Sequence, residues 1–212
     1  LALDYVRRNN TFLADTGLAP DGCYLDVFAI VYGDECYHPE HRMNRTDCYE
    51  ARRKCFDYIR DKFGIVSSEE PVDWAVRSLH LVHHAMWGVD GERNTFAQPV
   101  PLFNLVYHDA LVTPFETGRK RGSYYYAKSE IPFLHALPYL DEEASAEDME
   151  AAKIVAELHG RVGLLEMTNH EMLSPDGRRQ RAAYGDGTVV TVDQETGDWE
   201  IAYPDKTVRG NA

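Results

Sequence analysis

Two stretches carry the residue types of an acid–base or nucleophilic site. In "YLDVFA" one carboxylate, Asp26, stands inside an otherwise apolar run, Tyr24 to Tyr32. In "GIVSSEEP", Glu69 and Glu70 follow a second short apolar run. A carboxylate in an apolar strand loses hydration, so it must be paired or put to use. Two acids at the ends of successive strands are what glycoside hydrolysis needs. One attacks the anomeric carbon, while the other protonates the leaving oxygen and later activates water. Behind Asp26 comes a polar loop with Asp34, Glu35, His38, Glu40, His41 and Arg42, groups able to hydrogen-bond sugar hydroxyls or orient a carboxylate. A solvated loop is the plainer reading of the same residues.

A second constellation, His80, His83, His84, His108 and Asp109, has the ligand types of a metal site. His80 and His84 are four apart on a strand-like run, so helical i, i+4 ligand geometry does not apply. Orienting the nucleophile or contacting sugar hydroxyls is the better use for such residues. Trp74 and Trp87 offer faces for sugar stacking, with core packing the alternative for each.

The elements that must position these groups follow from pattern. Asp4 to Ala14 reads as a helix, broken by Gly17, Pro20 and Gly22. Tyr24 to Tyr32 reads as a strand buried on both faces. Thr46 to Phe63 is a helix closed by Gly64, with Cys48, Ala51, Cys55, Ile59 and Phe63 on one side. Strand signals recur at 64–67, 79–82 and 102–107, and a helix capped by Ser145 runs to about His159. Strands alternating with helices predict a parallel α/β arrangement whose polar residues gather at the C-terminal strand ends, as in a (β/α) barrel. From Val162 onward, short alternating segments separated by Asp-Gly and Thr-Gly turns predict an antiparallel meander. The expected organisation is therefore α/β, the C-terminal part of a (β/α)8 barrel over 1–161, followed by the start of a β-sandwich over 162–212.

Composition narrows the partners. The chain has 212 residues, 44% hydrophobic, with a net charge of −13. That charge argues against nucleic acid, whose phosphates need clustered Lys and Arg. No run reaches the length of a membrane-spanning helix. The four cysteines, Cys23, Cys36, Cys48 and Cys55, form no C-x-x-C pair and are expected as free thiols. The chain opens at Leu1 in what reads as a helix already under way, so it is expected to be a piece of a longer protein.

Taken with their flanks, "YLDVFA" and "GIVSSEEP" resemble the nucleophile and acid/base strands of retaining glycoside hydrolases of families 101 and 129, the endo-α-N-acetylgalactosaminidase group and its relatives. The "YGDECYHP" loop and the late "DGTVVTVD" strand are similar to a related bacterial set. The resemblance implies a glycosidase for α-linked glycans, represented here by its second half. It places Asp26 as nucleophile and Glu69 as acid/base. It further implies substrate contacts from Asp34, Glu35, His38, Arg42, Glu70, His83, His84, Trp87 and His108. The expected partner is an oligosaccharide or glycoconjugate. No cofactor is expected, calcium in a structural role aside. The other readings are a metal-dependent hydrolase using His83, His84, His108 and Asp109, and a carbohydrate-binding remnant without catalysis.

Overall fold

The structure, a computed structural model, describes residues 1–69, 72–83, 100–112, 114–116, 137–139, 146–193 and 195–211. Glu70, His84 and Trp87 lie outside them. The chain divides into two compact units, Leu1–His83 and His84–Ala212.

In the first unit, α1 (Ala2–Asp15) packs on α2 (Arg45–Phe63), and three parallel strands form one sheet. These are β1 (Gly22–Leu25), β2 (Ile65–Glu69) and β3 (Leu81–His83), in that spatial order. Asn44 starts α2 with a reciprocal cap. Its side chain accepts from the Asp47 amide, and the Asp47 carboxylate accepts from the Asn44 amide, both at 3.0 Å. Gly64 ends the helix at φ 105°, a conformation open to glycine, and Ile65 starts β2 at once. The buried stripe of α2 is Cys48, Cys55, Phe56 and Ile59, and the helix covers the sheet face that carries Val66 and Ser68. Fully burying Phe56 or Ile59 contributes about 1.5–3 kcal/mol each. A 3₁₀ turn (Asp73–Ser78) links β2 to β3, and its Trp74 stacks on Tyr49 at 4.8 Å. Trp74 is thus engaged in packing. All four cysteines are free thiols.

One expected strand is much shorter than its apolar run. Only Gly22–Leu25 pairs in the sheet, and 26–31 turn away from it. The apolar side chains that follow serve the turn and the helix instead. Phe28 meets Phe56 edge to face at 5.5 Å, and Ala29 is fully buried.

In the second unit, α3 (Leu102–Tyr107) precedes a two-stranded parallel pair, β4 (Pro114–Glu116) and β5 (Leu137–Tyr139). Then come α4 (Ala146–Val162) and a five-stranded antiparallel meander. Its strands are β6 (Met167–Met172), β7 (Arg179–Tyr184), β8 (Val189–Asp193), β9 (Asp198–Ala202) and β10 (Thr207–Asn211), neighbours in chain order. The 102–107 segment was expected as a strand and is a helix. A six-residue apolar run has no decisive period. Its burial is helical, with Asn104 and His108 inside while Leu102 and Val106 are exposed.

The meander follows its sequence closely. Gly177, Gly187 and Gly197 adopt positive φ at the turns between strands β6 to β9. Gln180, Ala182 and Tyr184 alternate inward on β7, as do Val190 and Val192 on β8. Among the described residues this is one sheet, and α4 packs on it through Val155, Leu158 and Val162. Among the described residues of 162–212 the five strands form this single antiparallel sheet.

The core of this unit holds an unusual polar set. His108 lies 5.0 Å from the Tyr184 ring and 6.1 Å from the His159 ring. Burial first, and then the neighbouring His108, lowers the His159 imidazole to about 4. The unfolded chain protonates this residue first, so stability is complete above about pH 6.5 and declines as pH falls toward 4. We expect a loss on the order of 3 kcal/mol across that window. Denaturant melts at pH 7.5 and 4.5 should show it, and His159→Asn should flatten the difference. Identical pH dependence in both proteins would contradict the assignment.

Candidate active site

The parallel register decides where the acids go. Leu25 stands opposite Ser68, the last pair between β1 and β2. One residue further along, β1 leads into Asp26 and β2 ends at Glu69, which in turn pairs with His83 on β3. Asp26, Glu69 and His83 therefore form one row across the C-terminal ends of three parallel strands. Neighbouring strands are about 4.8 Å apart, so the first two carboxylates leave adjacent backbone positions.

Side chains alternate along strands, so Ser67 shares a face with Glu69, and Tyr24, opposite Ser67, lies on that face as well. Tyr24 joins the two acids. Partial burial, then the charges of Glu69 and Asp26, raise its phenol well above the ordinary tyrosine range, and the phenol also engages both carboxylates in hydrogen bonds. Tyr24 was not singled out from sequence, though Tyr-x-Asp on one strand face was the available signal.

The environments of the two acids differ from expectation. Asp26 was expected within a buried strand, with Glu69 at a loop entrance. Instead Asp26 is exposed in the turn after β1, while Glu69 is half-buried as the last residue of β2. The turn, not strand pairing, must fix Asp26. The buried Ser68 hydroxyl donates to the Leu25 carbonyl at 2.7 Å and accepts from the Ala29 amide at 3.0 Å. Between these anchors Val27 sits at φ 57°, a backbone state that β-branched residues rarely hold. Downstream, Arg52 donates to the carbonyls of Val31 and Tyr32, and the Tyr49 hydroxyl accepts from the Gly33 amide.

The Asp34–Arg42 loop leaves from the same strand end. Cys36 and Met43 close it with two backbone hydrogen bonds of 2.8 Å. Asp34 lies 3.7 Å from Arg52, and Glu35 accepts from the Tyr37 hydroxyl at 2.7 Å. His38 stacks on His41 at 4.4 Å, and His41 Nδ1 is 3.2 Å from Cys36 Sγ. Glu35, Tyr37, Arg42, Met43, Asn44 and Asp47 line an open cavity of about 380 Å³. The loop thus has internal order and presents Arg42 and Glu35 to one cavity.

His108 is not at a strand end. It caps α3, is 2% exposed, and its Nδ1 donates to the Leu165 carbonyl at 2.7 Å. Its contacts are with the core of the second unit. Asp109 beside it is exposed. His80 accepts from the Val66 amide at 3.3 Å. Among the described residues no three His, Cys, Asp or Glu side chains gather as a metal site.

No family model matches the chain, and no curated relative is found. Solved structures do match. The quadruple mutant of the α-N-acetylgalactosaminidase NagBb from Bifidobacterium bifidum is 42% identical, over 95% of this chain and 34% of that one, with a TM-score of 0.81. The chain resembles a segment of a glycosidase. NagBb in its GalNAc complex is 41% identical over the same shares, with a TM-score of 0.81. In its Gal-NHAc-DNJ complex NagBb is 39% identical over 96% of this chain and 35% of that one, with a TM-score of 0.82. This chain thus spans about a third of NagBb. The agreement with NagBb matches the glycoside-hydrolase resemblance carried by "YLDVFA" and "GIVSSEEP", since the aligned region includes almost the whole chain.

Proposed function

We propose that this chain carries the catalytic acids of a retaining glycoside hydrolase acting on α-linked N-acetylgalactosamine. Asp26 is the nucleophile and Glu69 the acid/base, and the three parallel strands are part of a (β/α) barrel. The observation that carries the reading is the row of Asp26 and Glu69 bridged by Tyr24. Retaining enzymes hold their carboxyl groups about 5–5.5 Å apart, close to the spacing of adjacent strands.

Tyr24 lies beside both acids, and partial burial, together with their charges, keeps its phenol protonated. A phenol has one proton to donate and lone pairs to accept with. In the first step Asp26 bonds the anomeric carbon as the glycosidic bond breaks, and Glu69 gives its proton to the departing oxygen. In the second, Glu69 takes a proton from water, which attacks the anomeric carbon and releases Asp26. The substrate class rests on NagBb, whose structures include complexes with GalNAc and Gal-NHAc-DNJ.

The test is stereochemical. The full-length protein that carries this chain is mixed with 4-nitrophenyl α-N-acetylgalactosaminide and followed by ¹H NMR. The α-anomer of free N-acetylgalactosamine should appear first, with the β-anomer growing in only by mutarotation. A β-anomer formed first would replace the retaining mechanism with an inverting one. Absence of turnover would remove the proposed substrate.

A further inference from the structure

We infer that Ser68 is a positioning residue that holds the Asp26 turn in its attacking geometry, an inference that rests on the glycosidase reading above. Three observations meet at one hydroxyl. Ser68 is fully buried, on the sheet face opposite to the acids. It donates to the carbonyl just before Asp26, on Leu25, and accepts from the amide three residues after it, on Ala29. The segment it spans contains Val27 at φ 57°. No ladder partner holds Asp26, because β1 ends at Leu25. Strained backbone persists only where its surroundings over-determine it, and here Ser68 supplies both ends of the clamp.

The neighbouring anchors do not substitute for it. Arg52 and Tyr49 fasten residues 31–33, beyond the turn that carries Asp26. Without the Ser68 hydroxyl, the Leu25 carbonyl and Ala29 amide lose their shared partner, and Val27 is free to return to negative φ. That rotation, one residue from Asp26, swings the carboxylate out of line with the anomeric carbon. Glu69 is unaffected, since it is placed by strand pairing with β3.

The experiment compares wild type, Ser68→Ala, and Ser68→Ala/Val27→Gly in the full-length protein, using 4-nitrophenyl α-N-acetylgalactosaminide and hydrogen exchange of the 25–31 segment. Ser68→Ala should lower kcat roughly 10- to 100-fold with KM within about twofold, the range expected for misplacement of a reacting group. Exchange at the Ala29 amide should rise together with it. Glycine occupies positive φ freely, so adding Val27→Gly should raise kcat at least about threefold over Ser68→Ala alone. A packing role for Ser68 gives no such rescue. Full kcat in Ser68→Ala, unchanged exchange at Ala29, or no rescue by Val27→Gly each overturns the inference and leaves the glycosidase reading standing. A wild-type protein that cleaves no glycoside overturns that reading, and the inference falls with it, whatever the variants do.

Discussion

Asp26→Ala should cut kcat on every glycoside substrate by at least about 10⁴-fold, because no covalent intermediate can form without its carboxylate. The loss should not depend on the leaving group. A good leaving group needs no proton, but it still needs a nucleophile behind the anomeric carbon. Azide offers a further check, since a small anion can occupy the space vacated by the side chain. With Asp26→Ala, azide should attack directly and yield a glycosyl azide of inverted configuration. Folding is not at issue, since Asp26 is exposed and its turn is held at both ends by Ser68. Product configuration by NMR and kcat on aryl and natural glycosides decide the result. Full activity of Asp26→Ala on natural glycans would end the mechanism.

Glu69→Ala should behave in the opposite way across substrates. On natural glycans, whose leaving group must be protonated, kcat should fall about 10²- to 10⁴-fold, the usual worth of a positioned acid or base. On activated aryl glycosides the first step should be spared, and the glycosyl-enzyme should accumulate because water lacks its base. Added azide should then speed turnover and give a glycosyl azide of retained configuration, since Asp26 still takes the first displacement. Glu70→Ala should be milder, in keeping with a supporting role. If Glu70→Ala shows the azide rescue and Glu69→Ala does not, the assignment within "SSEEP" shifts by one residue. Retained product from Asp26→Ala and inverted product from Glu69→Ala would exchange the two roles.

The short apolar runs before Asp26 and Glu69 were legible as strands, and the structure sets these two residues at the ends of β1 and β2. The sequence also carried α1, α2, α4 and the meander, whose periods and Gly turns extend over many residues. What it hid was local. Beyond Leu25 the run stays apolar because Phe28 and Ala29 pack inward from a turn, so hydrophobicity alone continued the strand too far. The 102–107 segment hid its helix because six residues cover less than two turns. Ser68 and Tyr24 hid in plain strand positions. A serine and a tyrosine there look like any others until a partner strand supplies the carbonyl, amide or carboxylates that they meet. His108 was misplaced with the helix that carries it, since its surroundings come from α4 and β7.

Only Gly64 lies between the end of α2 at Phe63 and the start of β2 at Ile65. That corner works as a ruler. One residue inserted there would slide β2 by a single step and send Ser68 to the acid face while Glu69 turned toward the helix. Both the row of Asp26 and Glu69 and the clamp on the Asp26 turn would fail together, without any change in amino-acid composition there. Past the Ser68 clamp at Ala29, the segment that runs on to Asn44 has no such ruler, only its tethers to α2 and the Cys36–Met43 bridge. Length variation in this fold should therefore be tolerated after the strands and forbidden before them. An insertion scan would draw that boundary at Gly64.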